Sequence, residues 1–189
     1  MTDVRPAVLV VDDERAVADA FANHLRKRYT VRTAYTGEAA LEAADASVDA
    51  VVLDRRLPDR HGDDVLATLR DRGFEGPVVM TTAVDPDLNI LEIDFDDYLV
   101  KPVKGSTLRE TIARHLEAAD RGPRLAEFVA LAAKLAVLEE ERPARELEDS
   151  DEYRRLRRRA RALADALAGE VGDLADAVAV HRALDDDEK

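Results

Sequence analysis

Residues 49–54 read Asp-Ala-Val-Val-Leu-Asp, an apolar run (DAVVL, 49–53) that ends on the carboxylate of Asp54. Similar runs recur through residues 7–103: AVLVV (7–11), TVRTA (30–34), PVVMT (77–81) and DYLV (97–100). Each is short and rich in valine, with little polar alternation, which is how strands buried on both faces of a parallel sheet read. Amphipathic helical patterns lie between them, carried by Val17, Phe21 and Leu25, by Leu41 and Ala44, and by Val65, Leu66 and Leu69. Strands alternating with helices predict an α/β fold, a doubly wound five-stranded parallel sheet with right-handed crossovers. After Thr82 the pattern is less regular. Leu88, Ile90, Leu91 and Ile93 allow only a short helix before the fifth strand.

A further helix is expected from about Ser106, as N-cap, to Asp120. Arg121-Gly122-Pro123 breaks it, since glycine suits the residue past a helix end and proline cannot continue one. The domain boundary is placed there, giving one domain over 1–121, a small all-α domain over 122–184, and a disordered acidic tail at 185–189. The second domain reads as two amphipathic helices. The first runs from Arg124 to about Glu141 and is ended by Pro143; it carries Leu125, Phe128, Leu131, Ala132, Leu135 and Leu138. The second runs from near Ser150 to about Arg182 and carries Tyr153, Leu156, Ala160, Leu163, Leu167, Val171, Leu174 and Val178. Gly169 and Gly172 weaken its middle by about 1 kcal/mol each relative to alanine.

The chain has 189 residues, room for one good core and something smaller. It contains no cysteine, which excludes disulfides and thiolate metal sites. No apolar run approaches the roughly 18 residues of a membrane span, and the opening MTDVRPAVLV lacks a signal-peptide core. A cytoplasmic protein is therefore expected. A net charge of −13 argues against general nucleic-acid affinity. Arginine outnumbers lysine 23 to 5, which fits a high-salt cell or a GC-rich genome.

In an open parallel sheet, ligands sit outside the carboxyl ends of the strands, where strand order reverses. Here those ends carry Asp12-Asp13-Glu14, Asp54, Thr81-Thr82 and Lys101-Pro102. Like charges packed together call for a neutralising cation. Oxygen ligands suit a hard divalent ion, and Mg²⁺ fits a site that must also hold phosphate oxygens. A carboxylate can act as nucleophile and form an aspartyl-phosphate. Lys101 can pair with one phosphoryl oxygen while the Thr82 hydroxyl hydrogen-bonds another.

The order of these elements, VVDDE (10–14), DRRLPDRHG (54–62), TTA (81–83) and DYLVKP (97–102), resembles the receiver domain of two-component response regulators over residues 7–120. The resemblance implies a flavodoxin-like sheet. It implies Asp54 as phosphoacceptor for a sensor histidine kinase, with Mg²⁺ held by Asp13, Asp54 and the backbone carbonyl of Arg56, and by Asp12 through water. It implies Thr82 as switch hydroxyl, Tyr98 as rotating aromatic, Lys101 as phosphate-pairing lysine, and a cis Lys101–Pro102 bond. Such a domain assists its own phosphorylation without being an enzyme in the ordinary sense. The stretch from Thr82 to Lys101 is shorter than receivers usually have, which puts the usual receiver-face dimer in doubt. A haloacid-dehalogenase-type phosphohydrolase would also use a nucleophilic aspartate, but it needs a second acid two residues on, where Arg56 stands.

Receiver followed by a helical tail, with FDDYLVKPV (95–103) and AEFVALAAKLAVLE (126–139), resembles haloarchaeal regulators carrying a HalX domain. The arginine cluster RRLRRRAR (154–161) offers a DNA-contact alternative. The favoured reading is an exposed helix face paired with Asp151, Asp165 and Glu139–Glu141. No helix-turn-helix pattern occurs in 121–189, so specific nucleic-acid binding is not expected. A two-helix hairpin is too small to cover its own apolar stripes, leaving Leu163, Leu167, Val171, Leu174 and Val178 exposed. Packing on the receiver or pairing with a second tail would cover them, and a homodimer through the C-terminal helices is the expected solution.

Overall fold

The computed structural model describes residues 5–83 and 88–167. The elements in chain order are β1 (Ala7–Val11), α1 (Arg15–Leu25), β2 (Thr30–Ala34), α2 (Gly37–Ala43), β3 (Ala50–Asp54), α3 (Gly62–Asp71) and β4 (Val78–Thr82). A 3₁₀ turn (Leu88–Glu92), β5 (Asp97–Val100), α4 (Gly105–Arg121), α5 (Pro123–Glu141), α6 (Ala144–Glu148) and α7 (Asp151–Leu167) follow. The sheet is parallel throughout, in the order β2-β1-β3-β4-β5. The chain leaves β1 outward for β2 and returns across it to β3, so the order reverses between β1 and β3.

The five valine-rich runs do form the five strands. The three central strands, β1, β3 and β4, are buried along their whole length, as their unbroken apolar pattern requires. β2 is an edge. Only Ala34 is buried there, and Arg32 reaches Asp45, Ser47 and the Ala43 carbonyl.

One sheet face carries Val8, Val10, Val52 and Val79 against Phe21 and Leu25 of α1 and Leu108 and Ile112 of α4. The other carries Leu9, Val11, Leu53, Met80 and Tyr98 against Leu41 of α2 and Val65, Leu66 and Leu69 of α3. Leu135 and Leu138 of α5, Leu147 of α6, and Tyr153 and Ala160 of α7 belong to this same cluster. The tail is thus built onto the sheet, against β5. Asp97, the first residue of β5, takes His115 Nε2 at 2.9 Å and an Arg114 nitrogen at 2.8 Å, which ties the strand to α4. Burial alone would raise the Asp97 carboxyl, but these two partners hold it below its ordinary value.

Three expectations need correction. α4 starts one residue before Ser106, with Lys104 as a cap that contributes no side-chain bond. A short helix, α6, stands between the two expected tail helices, because Pro143 restarts a turn that runs to Glu148. Leu163 and Leu167 are not exposed: they pack with Ala118, Leu125, Phe128 and Val129 where α7 folds back along α5, and are 5% and 7% accessible. Ser150 does cap α7, accepting from Tyr153 N at 3.2 Å. The remainder of the second tail helix, with Gly169, Val171, Gly172, Leu174 and Val178, and the acidic terminus lie outside the described residues.

Leu138 is fully buried in the cluster shared by sheet and tail. Leu138→Ala is expected to destabilise the protein by about 2–5 kcal/mol, and urea unfolding should remain a single transition. Two separated transitions, or an unmoved midpoint, would show that sheet and tail do not unfold as one core.

Candidate functional site

β1 and β3 are neighbours, so Asp12, just past β1, stands beside Asp54, the last residue of β3. Asp12 is fully buried and Asp54 is 5% accessible, whereas Asp13 faces solvent. Carboxylate oxygens of all three lie within 4.8 Å of one another. Glu14 takes no part. It is exposed at the N-cap of α1, where its backbone N–H donates to Asp12 Oδ1 at 3.0 Å. Lys101 follows β5 and brings Nζ to 2.7 Å from Asp12 Oδ2 and 3.2 Å from Asp54 Oδ1. The Lys101–Pro102 bond is cis.

The electrostatics follow from this crowding. Burial pushes the Asp54 carboxyl above its ordinary 3.8; Lys101 pulls it back, and Asp12 and Asp13 push it further up. Burial would lower the Lys101 ammonium, yet Asp12 and Asp54 together raise it, so the lysine stays charged. Three carboxylate oxygens at this spacing form a hard, anionic donor set that can hold a divalent cation.

The loop that follows β3 folds back on itself. Arg56 bridges to His61, and its side chain is exposed. Gly62 N donates to Arg55 O at 2.8 Å. A Cβ on Gly62 would stand 2.4 Å from Asp54 O and 2.8 Å from Arg55 Cα, so only glycine permits this approach. Asp59 accepts from Gly37 N at 2.8 Å and Glu38 N at 2.9 Å, pinning the loop to the start of α2. These two backbone bonds, first among its contacts, lower the Asp59 carboxyl.

Thr82 ends β4 and is 1% accessible; Tyr98 in β5 is 2% accessible. The register pairs Met80 with Tyr98 and Thr82 with Val100, so Thr82 and Tyr98 lie on one sheet face, two positions apart. Thr81 sits opposite Asp54 in the ladder, and its buried hydroxyl has no hydrogen-bond partner among the described residues.

The sequence reading missed a second set of residues. The guanidinium of Arg55 grips both oxygens of Asp63 at 3.0–3.2 Å and donates from Nη1 to the Tyr98 hydroxyl at 3.3 Å. The position of Arg55, next to Asp54, was a signal. Asp63 and Tyr98 were joined to it by no local spacing. The arginine cluster of α7 is largely paired: Arg154 with Asp151, Arg155 with Glu152 at 3.1 Å, and Arg159 with Glu127 at 2.7 Å. Glu127, a partner the sequence did not suggest, takes Arg159, and Glu139 accepts from Tyr153 Oη at 2.5 Å.

Residues 8–113 match the response regulator receiver domain and residues 123–185 the HalX domain. The chain belongs to the response regulator receiver family. A Haloferax volcanii protein that bears the name of a transcriptional regulator is 43% identical over 157 residues, covering 82% of this chain and 27% of that protein. The Streptomyces coelicolor transcriptional regulatory protein CutR is 46% identical over 106 residues, covering 53% of this chain and 49% of the relative. The chain therefore spans at most about half the length of these relatives. Among solved structures, the Thermotoga maritima response regulator DrrB superposes with a TM-score of 0.56 at 30% identity, covering 60% of this chain and 53% of that one. A CheY-like receiver protein of Methanospirillum hungatei gives 0.58 at 25% identity, over 62% of this chain and 98% of that one. The fold of this response regulator is that of CheY-like receivers, extended by a helical region.

Because the buried Asp54 carboxyl titrates above 3.8, it contributes stability that is present in acid. That stability is lost as pH rises through the elevated folded value. In metal-free buffer, Asp54→Asn should raise the thermal midpoint at neutral pH and flatten this decline. Mg²⁺ should raise the wild-type midpoint by mass action, and Asp13→Ala should remove most of the increment. An undiminished Mg²⁺ response in Asp13→Ala would place the cation elsewhere.

Proposed function

We propose that this response regulator accepts a phosphoryl group on Asp54 from the phosphohistidine of a sensor histidine kinase, and signals through its helical tail. The observation that carries the reading is the Lys101 ammonium lying between Asp12 and Asp54 beside an acidic cluster able to hold a cation. An Asp54 carboxylate oxygen attacks phosphorus, the phosphorus–nitrogen bond breaks, and an acyl phosphate forms. Lys101 then exchanges carboxylate for a phosphoryl oxygen, and the Thr82 hydroxyl donates to another. Asp13, Asp54 and the Arg56 carbonyl would hold Mg²⁺ directly, with Asp12 through water; the ion supplies neutralisation of charge on the transferring oxygens. Thr82 and Tyr98, on one sheet face, form the switch. The same groups assist hydrolysis of the acyl phosphate, so the protein consumes its own signal rather than turning over a substrate.

We further propose two functional units, a receiver over 1–121 and an output unit over 122–184, in a cytoplasmic protein. The described residues include no helix long and apolar enough to cross a membrane. Direct DNA contact through 154–161 is the second reading. The names of the relatives raise it, but the pairing of Arg154, Arg155 and Arg159 with neighbouring acids counts against it. The output reading extends to a homodimer. Leu163 and Leu167 are covered within the chain, and the apolar spacing of the sequence continues through Val171, Leu174 and Val178, the positions proposed to meet a second copy.

Acetyl phosphate with Mg²⁺ should add one labile phosphate to the wild type and none to Asp54→Asn, read by intact-protein mass spectrometry. Full labelling of the variant would sink the assignment. Light scattering should give a dimer for the wild type and a monomer for Leu174→Asp combined with Val178→Asp. A dimer that survives both aspartates would move the interface off the tail.

A further inference from the structure

Beside the acidic cluster lies a buried hydroxyl with nothing to bond. Thr81 is fully buried in β4, and its Oγ1 has no hydrogen-bond partner among the described residues. Burying a hydroxyl without a partner is unfavourable, and native structures keep few such groups. The backbone of Thr81 is fixed. It pairs with Asp54 of β3 on one side and Leu99 of β5 on the other, and its carbonyl accepts from Arg55 N at 2.9 Å. Side chains alternate along a strand, so Thr81 shares a face with Val79, and Asp54 with Val52. Val52 and Val79 pack in one cluster, against α1 and α4. Thr81 and Asp54 therefore stand side by side on that face, across a strand spacing of about 4.8 Å. Thr82 takes the opposite face, with Tyr98. Lys101 holds Asp54 Oδ1 at 3.2 Å and Asp12 Oδ2 at 2.7 Å. It follows β5, so its side chain crosses β4, the strand of Thr81, to reach them.

We propose that Thr81 is a further positioning residue of the phosphoacceptor: its hydroxyl donates to Asp54 Oδ1 once Lys101 has left that oxygen for the phosphoryl group. The inference rests on the phosphoacceptor reading of Asp54. In the resting protein a charged donor outcompetes a neutral one, so Lys101 keeps Oδ1 and the hydroxyl is shut out. Oδ2 is then the oxygen that attacks phosphorus, and Oδ1 becomes the acyl carbonyl. Lys101 moves to a phosphoryl oxygen, the more negative acceptor, and Oδ1 loses its donor. Rotation of Thr81 about χ1 brings the hydroxyl to it. Only hydrogen bonds are exchanged in this step. A donor that is unsatisfied in the resting state is satisfied in the phosphorylated one, so Thr81 biases the equilibrium toward the acyl phosphate. Thr82 has a separate duty, to a phosphoryl oxygen.

The test uses the full chain with Mg²⁺ and beryllofluoride, a phosphoryl mimic that binds aspartate reversibly, and reads affinity by fluorine NMR titration. Thr81→Val keeps the shape and removes the hydroxyl. It should weaken beryllofluoride binding by about five-fold, the size of one net hydrogen bond. Without Mg²⁺ and beryllofluoride, the same variant should unfold at a higher temperature than the wild type, because it drops an unsatisfied buried donor. Thr81→Ser retains the hydroxyl and should bind beryllofluoride within about two-fold of the wild type. Wild-type affinity in Thr81→Val overturns the proposal, as does a serine variant as weak as the valine one. So does a lowered unfolding temperature for resting Thr81→Val, which would show that the hydroxyl is already bonded there. A wild type that binds no beryllofluoride overturns the phosphoacceptor reading of Asp54, and this inference with it.

Discussion

Two carboxylates, Asp12 and Asp54, are buried at adjacent strand ends, and one ammonium, Lys101, reaches both. An unpaired buried charge costs several kcal/mol, so this contact makes the acidic rim tolerable in the absence of other cations. Lys101 arrives from the far edge of the sheet: β4 stands between β3 and β5. The contact forms only when the sheet is assembled in order and in register. The site therefore depends on the whole receiver fold, and its charges restrain the strand ends that carry them.

The same edge explains where the tail sits. Between β4 and β5 the described chain supplies a five-residue 3₁₀ turn, too short to roof β5. Met80, Phe95 and Tyr98 would then face water on that side of the sheet, which an apolar surface of this kind avoids. α5 covers them with Leu135 and Leu138, and α6 and α7 extend the layer with Leu147, Tyr153 and Ala160. Burial of the three leucines is worth about 1.5–3 kcal/mol each, more than the surface ion pairs of α7 can contribute. The hydrophobic deficit left by a shortened helix is filled by the next segment of chain. That same packing brings α5 into the cluster that holds Tyr98.

Much of this was legible in the residues themselves. Valine runs with period-free burial announced β1, β3 and β4, because strands covered on both faces need no polar alternation. The chemistry was legible for a related reason: in a parallel sheet every strand ends on the same rim, so acids, hydroxyl and lysine at successive ends must converge. Asp12, Asp13, Asp54 and Lys101 meet on that logic alone. What was not legible were contacts between segments with no common periodicity. Arg55 with Asp63 and Tyr98, Asp59 with the α2 start, and Lys134 with Ile93 and Phe95 join groups 8 to 43 residues apart.

The cover over the tail leucines was misjudged for that reason. A helix pattern states which stripe is apolar, not which surface will receive it. Local spacing determined the strands, the rim on which the reactive groups gather, and the amphipathic character of α5 and α7. Tertiary structure alone decided that α5 lies on β5, that Leu163 and Leu167 are buried against the α4–α5 elbow, and that Tyr98 is gripped by Arg55. These outcomes turn on which apolar surface the shortened 3₁₀ segment left uncovered, a property of the packed sheet that no single stretch of sequence contains.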